Sequence, residues 1–237
     1  GAERGTPGAT SYPSDDRQKD MNAFLQGTLR KNFSPLYTLR VSAKGSYDDI
    51  YYTSTWGDSR YGQTELQLNS AHDFQINDWW KLSLAADARW DALNSTNYHA
   101  SRFTALSALA SSFRTERFMA TVALEYEGAF DRDGLSRNAL SPSADLRFTA
   151  FEGFDIVAFG RRAYRIPTFN ELYYVGYGNP QLAPEDAWLT DLGIDFNRRV
   201  NAVWTMKLKI DAFCNLLKNK IISAPTEEDP NIWAPYN

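Results

Sequence analysis

Between Tyr37 and Tyr47 every second residue is apolar or small. Tyr37, Leu39, Val41, Ala43, Gly45 and Tyr47 share one face, and Thr38, Arg40, Ser42, Lys44 and Ser46 share the other. Successive side chains of a strand point to opposite faces, so the run reads as a ribbon with one apolar and one hydrophilic surface. The same period returns in Leu82, Leu84, Ala86, Ala88 and Trp90, set against Ser83, Asp87, Arg89 and Asp91. Further rows are Phe118, Ala120, Val122, Leu124 and Tyr126, then Ala144, Leu146, Phe148 and Ala150, then Trp204, Met206, Leu208, Ile210 and Ala212 facing Thr205, Lys207, Lys209 and Asp211. The chain is therefore expected to be all-β.

Alternation alone does not name the solvent of the apolar face, because soluble sandwiches alternate too. Three features separate the cases. The eleven residues from Tyr37 to Tyr47, at a rise of ~3.3 Å and a tilt of ~40°, span roughly 28 Å, which suits a bilayer core better than a globular strand does. The apolar rows tend to end in aromatics (Tyr37 and Tyr47, Phe118 and Tyr126, Trp188 and Phe196), as rings at two lipid–water boundaries would. The connections also sort by length: Lys31–Leu36, Asp73–Asp78, Phe113–Arg117, Glu152–Gly153 and Arg198–Asn201 are short and the intervening ones mostly longer, the asymmetry of an outer-membrane barrel.

On this reading ten strands are predicted: Met21–Arg30, Tyr37–Tyr47, Tyr61–His72, Trp79–Asp91, Ser101–Ser112, Phe118–Glu127, Ser143–Phe151, Phe154–Tyr164, Ala187–Asn197 and Val203–Leu217. The fold class is an antiparallel transmembrane β-barrel fragment. Residues 1–20 are expected to be a loop or cloning remnant, 21–217 the strands, and 218–237 an outer loop. The other outer connections are expected at Asp48–Arg60, Ala92–Ala100, Gly128–Pro142 and Arg165–Asp186. Ser101–Ser112 is weakly patterned, so its face is open and a bulge is expected there.

The remaining composition removes several classes of function. A net charge of −4 and a pI near 5.3 argue against a nucleic-acid partner, which needs a concentrated basic surface. No run approaches the ~18 apolar residues of a membrane helix, but a barrel hides its membrane signal because alternate residues face the lumen. Cys214 is the sole cysteine, so neither an intrachain disulfide nor a thiolate cluster is possible. The two histidines, His72 and His99, lie too far apart for a local metal motif. Asp131-Arg-Asp-Gly134 copies the start of a calcium loop without its later acidic ligands. No metal site, cofactor or catalytic residue is called.

Between two well-patterned strands lie Arg165-Ile-Pro-Thr-Phe-Asn-Glu-Leu-Tyr173 and Gly178-Asn-Pro-Gln-Leu-Ala-Pro-Glu185, then the strand from Trp188 to Phe196 with Asp191-Leu-Gly193. The first two segments resemble the Arg-x-Pro-Thr-x-x-Glu-Leu-Tyr and Gly-Asn-Pro-x-Leu-x-Pro-Glu segments of TonB-dependent outer-membrane receptors. The third departs mildly, since that family carries Glu-x-Gly there and this chain keeps a carboxylate. Asn219-Lys-Ile221 and Trp233-x-Pro-Tyr-Asn237 are similar to the end of the next strand and the loop after it.

The resemblance implies an internal slice of a twenty-two-stranded barrel, without the plug domain through which such receptors meet TonB. It implies a Gram-negative outer-membrane location and lipid contact. It also implies import of a scarce small-molecule nutrient, an iron–siderophore or a cobalamin-like ligand, without enzymatic chemistry. The matched residues are Arg165, Pro167, Thr168, Glu171, Leu172, Tyr173, Gly178, Asn179, Pro180, Leu182, Pro184 and Glu185. Pro167 and Pro184 push their predecessors toward extended backbone, and Gly178-Asn179 supplies turn conformations. Arg165, Glu171 and Glu185 read either as a salt-bridged loop at the rim or as ligand contacts. Tyr51, Tyr52, Trp56, Tyr98, Tyr174, Tyr177 and Trp233 are candidate ligand-contact aromatics, with loop packing as the alternative. Arg40, Lys44, Asp87, Arg89, Asp145, Arg147, Lys207 and Lys209 are expected to line the inner wall. The competing class is a secreted, soluble all-β module binding carbohydrate, in which the apolar rows would meet a second protein layer.

Overall fold

The computed structural model describes residues 2–5, 16–55 and 57–237, with side chains from residue 16 onward. Eleven strands form one antiparallel sheet in which every strand pairs with its neighbours in sequence. They are β1 (Ala2–Gly5), β2 (Arg17–Ser34), β3 (Tyr37–Ser54), β4 (Gly57–Asn77), β5 (Trp80–Ser95), β6 (His99–Arg114), β7 (Phe118–Asp131), β8 (Ser136–Phe151), β9 (Phe154–Arg165), β10 (Glu185–Arg199) and β11 (Thr205–Lys218). A short helix, α1 (Phe169–Tyr173), lies between β9 and β10, and β12 (Ile222–Pro225) and β13 (Trp233–Tyr236) form a separate hairpin.

Register places the apolar rows on one face. Leu25, Gly45, Leu66, Trp90, Phe103 and Phe130 follow one another across six strands, as do Phe118, Phe148, Ile156, Ile194 and Ile210 across five. On the opposite face Lys44, Gln67, Arg89, Thr104, Ala129 and Arg137 form a matching row. All eight charges expected on the inner wall share that polar face. Several are paired there: Lys44 with Glu65 at 2.8 Å, Arg89 with Asp91 at 2.8 Å, Arg147 with Asp155 at 2.5 Å and Lys209 with Asp211 at 3.4 Å.

The apolar face has no protein against it among the described residues. Apart from strand neighbours and the β12–β13 hairpin, α1 on β6 is the principal contact between elements, and Leu84, Val122, Leu124, Leu192 and Ile210 remain 42–59% exposed. Among the described residues these side chains form no second layer of the kind a soluble sandwich has, and a large apolar face turned outward from an antiparallel sheet suits hydrocarbon. Aromatics collect at the short-turn end, where Phe33 stacks on Tyr37 (5.3 Å), Tyr37 on Phe74 (4.9 Å), Trp80 on Phe113 (6.0 Å) and Phe151 on Phe154 (4.8 Å).

All ten expected strands are present, but most are longer than expected. Strand β2 begins at Arg17, and Ala2–Gly5 is already strand, so these described parts of residues 1–20 are paired, and most of the rest of that range lies outside the described residues. Asp48–Arg60, Ala92–Ala100 and Gly128–Pro142 are mostly extensions of the hairpins. Beyond the bilayer both faces meet water, so backbone pairing continues while the hydrophobic period that marks a strand fades. Residues 218–237 likewise hold a hairpin. Strand β6 pairs on both sides without a register shift, with Phe103, Ala105, Ser107 and Leu109 outward. The irregularities fall instead at Asn32/Ser34, Gln75/Asn77 and Thr149/Phe151, beside tight turns.

Candidate functional site: the loop clamped over the outer end of the lumen face

Beyond β9 the chain turns back over the polar face. Pro167 is fully buried and ends the strand, and Thr168 takes extended backbone as the N-cap of α1. The Thr168 N–H donates to Glu171 Oε2 at 2.7 Å, and the Glu171 N–H donates to Thr168 Oγ1 at 3.3 Å. This reciprocal capping box satisfies two donors that a helix start otherwise leaves open. Leu172 is the buried residue of the helix, 0% exposed.

Two charge clusters hold this loop. Arg165 donates through Nη1 and Nη2 to Glu171 at 3.0 and 3.2 Å and through Nε to Glu185 at 2.7 Å, tying the loop's two ends together. Burial works to raise the Glu171 carboxyl, yet hydrogen bonds from Arg165 and Thr168 hold it below its ordinary range. The hydrogen bond from Arg165 does the same for Glu185. The second cluster centres on Asp131, whose side chain is 2% exposed. Asp131 accepts from Arg102 Nε (2.5 Å) and Nη2 (3.1 Å) and from Arg137 Nη1 (2.9 Å). Arg102 Nη1 also donates to the Pro167 carbonyl at 2.9 Å, and its guanidinium stacks on Phe169. The Tyr173 hydroxyl lies 2.9 Å from Asp131 and 2.7 Å from Asp133. Burial first, then these two carboxylates, push the Tyr173 phenol well above its usual value.

Gly178 brings the loop's return against α1. A Cβ there would sit 2.7 Å from the amide nitrogens of Tyr173 and Tyr174, so no larger residue fits this approach. The Asn179 N–H then donates to the Glu171 carbonyl at 2.8 Å, and Asn179 Nδ2 to the Pro235 carbonyl at 3.1 Å. Asn237 exchanges two hydrogen bonds with Ala183, at 2.6 and 3.0 Å. Leu182 is buried, Pro180 is exposed, and Pro184 is half-buried where β10 begins.

The candidate aromatics divide. Tyr98 is buried, donates its hydroxyl to Asn170 Oδ1 and meets Tyr173 and Tyr174 at 6.4 and 6.3 Å. Burial pushes its phenol up to about 12, so it stays a donor at neutral pH. Tyr174 and Tyr177 stack edge-on and remain half-buried. Tyr61, on the same face, is joined by Asn97 Nδ2 at 3.1 Å and approaches Tyr174. Tyr51 and Tyr52 lie apart on the β3–β4 hairpin, bonded to Asp58 and Asp16. Trp233 is 53% exposed on the β12–β13 hairpin, and Trp56 lies outside the described residues.

Arg102, Arg137, Tyr61 and Asn170 carry no motif in the sequence, and Asp131 and Asp133 resemble there the start of a calcium loop. Both carboxylates are instead committed to arginine and tyrosine donors. Among the described residues no group of three or more His, Cys, Asp or Glu side chains is placed to hold a metal ion. The cluster offers shape, phenols and amides, and so suits noncovalent recognition.

A sheet greasy outside and charged inside, with short turns at one end and a clamped loop at the other, is part of the wall of an outer-membrane barrel. The family profile "TonB dependent receptor-like, beta-barrel" matches residues 106–237, and the chain belongs to that family, whose members sit in the Gram-negative outer membrane and are transporters rather than enzymes. The chain is 26% identical over 156 residues to the vitamin B12 transporter BtuB of Vibrio vulnificus, covering 64% of this chain and 23% of that protein. Its fold is similar to that of the FrpB iron transporter (F3-3 variant) from Neisseria meningitidis (TM-score 0.71, 15% identity, 95% of this chain and 39% of that one). It is also similar to that of the siderophore receptor PirA from Pseudomonas aeruginosa (TM-score 0.62, 21% identity, 94% and 48%). The chain thus spans under a quarter of the curated relative and under half of each solved one.

Proposed function

We propose that this chain is part of the barrel of a receptor that captures a scarce, bulky nutrient, an iron–siderophore or cobalamin-like ligand, and imports it with energy relayed from TonB through a plug domain inside the barrel. The single observation that carries the reading is the loop of residues 165–185, fixed by Arg165 and Asp131 over the outer end of the polar face. A receptor needs a preformed surface there, because ordering a loose loop on binding would subtract from affinity. The half-buried Tyr61, Tyr174 and Tyr177 are the aromatics best placed to meet a ligand, and Tyr98 serves by supporting them. The polar wall, with Arg40, Asp87, Asp145 and Lys207, would face the plug.

Uptake of radiolabelled cobalamin and of a panel of ferric siderophores by a strain deleted for the gene, complemented with the full-length gene and repeated without TonB, tests this. One ligand is expected to show uptake that requires both genes. Uptake unchanged by either deletion for every ligand would refute the proposal.

A further inference from the structure

The chain turned over the outer end of the polar face is short of cations. Residues 166–184 contain no lysine or arginine, and neither do residues 221–237, which are hydrogen-bonded to them through Asn179 and Asn237. The charged side chains of the two stretches are all acids: Glu171 in the first and Glu227, Glu228 and Asp229 in the second. The arginines around them are engaged. Arg102 uses Nε and Nη2 on Asp131 and Nη1 on the Pro167 carbonyl, and Arg165 uses all three nitrogens on Glu171 and Glu185. Arg137 donates to Asp131 as well. Arg161 and Arg132 share their hollows with Glu125 and Glu127 and with Asp133. Lys218 and Lys220 stand close enough to Asp186 and Glu185 to favour their charged forms.

What this end does present is uncharged. Tyr61, Asn97, Tyr98, Asn170, Tyr174 and Tyr177 form one cluster. Asn97 Nδ2 donates to the Tyr61 hydroxyl at 3.1 Å, the Tyr98 hydroxyl donates to Asn170 Oδ1, and the rings of Tyr98 and Tyr177 lie edge-on to Tyr174 at 6.3 and 6.5 Å. The Tyr61 hydroxyl approaches that of Tyr174 at 3.5 Å. Among the described residues these bonds leave the hydroxyl protons of Tyr174 and Tyr177 and the Asn170 amide nitrogen without an acceptor, against one carbonyl, Asn97 Oδ1, without a donor. We infer that the ligand taken here carries no net negative charge and brings carbonyl oxygens, of the amide or hydroxamate kind, to Tyr174, Tyr177 and Asn170. A polyanionic complex would give up hydration beside these acids and find no open cation in return, whereas uncharged carbonyls match the surplus of donors. The inference rests on the receptor reading above and narrows its ligand class.

The test is calorimetric titration of the purified full-length receptor with cyanocobalamin, an uncharged ferric trihydroxamate and a trianionic ferric tricatecholate, each at low and high salt. One of the two uncharged probes is expected to bind at least about tenfold tighter than the trianion, with an affinity that salt leaves unchanged. Which of the two it is separates a cobalamin-type amide from an iron-bound hydroxamate. Tyr174→Phe with Tyr177→Phe should weaken that probe about fivefold or more, with heat-modifiable gel mobility reporting folding. Val175→Arg, at an exposed position beside Tyr174, should tighten the trianion and leave the uncharged probe no tighter. Tightest binding of the trianion overturns the inference, as does an uncharged probe indifferent to the loss of both hydroxyls, or failure of all three to bind. Should the double variant fail to fold, Val175→Arg decides, and no gain for the trianion sinks the inference. TonB-dependent uptake of the trianion by cells would remove the ligand class and leave the receptor reading standing, whereas absence of TonB-dependent uptake for every probe would remove both.

Discussion

The middle of the sheet and its outer end are built from the same strands under opposite rules. In the middle, large apolar side chains such as Leu84 and Leu124 stand 42% and 46% exposed and every strand touches only its neighbours. At the outer end Leu172, Leu182, Tyr98 and Ala139 are buried, and so are Arg102 and Asp131. The difference teaches that the stretch between the aromatic rows leaves its apolar burial to lipid. The rim, standing in water, builds a small protein core of its own and closes it with ion pairs.

The sharpest way to break that contrast is to remove the buried carboxylate. Asp131→Ala leaves Arg102 and Arg137 unpaired, and losing one partner of a buried pair costs about 3–5 kcal/mol. Amide exchange in residues 165–185 should accelerate accordingly while β3–β5 between their aromatic rows stay protected. Uniform acceleration would mean the rim and the middle are not separate units. Next comes Leu124→Arg on the outward face, expected to cost about 2–4 kcal/mol in folding titrations from lipid vesicles. Ser143→Arg on the polar face is expected to stay within about 0.5 kcal/mol. Equal costs would remove the assignment of faces. Gly178→Ala should loosen only the rim, by about 1–3 kcal/mol of overpacking, read as faster proteolysis in residues 165–185.

The smallest effect is a pH dependence. Glu171 and Glu185 are held below their ordinary value of 4.5, so their contribution is complete above that value and is lost as pH falls through the lowered ones. Exchange protection of residues 165–185 should be flat from about pH 8 to about pH 5 and decline below about pH 4, with the middle of the sheet unmoved.

What the sequence made legible follows the same boundary. Tyr37–Tyr47 and Trp79–Asp91 could be read because lipid on one side and a polar interior on the other force strict alternation. Once β3 and β4 leave the bilayer, Asp48, Asp49, Gln63 and Thr64 meet water on both faces, and nothing in their order says that pairing continues. The motif-bearing loop was legible as a unit because Pro167, Gly178 and Pro184 constrain backbone locally. Its anchors were not, because Arg102 and Asp131 lie 29 residues apart on neighbouring strands, and only register brings them together. Tyr61 was hidden for a simpler reason: it opens the patterned stretch Tyr61–His72, where an aromatic reads as a boundary marker, although β4 itself begins at Gly57.

The cross-tie between Asn237 and Ala183, two hydrogen bonds reaching over 54 residues of chain, makes neighbours of the α1 loop and the hairpin that follows β11. With Asn179 held to Pro235 as well, the two segments are joined into one surface at the rim. A molecule resting on this end of the barrel therefore meets Tyr174 and Trp233 on two stretches of chain that are tied directly to each other, and not only through the strands beneath.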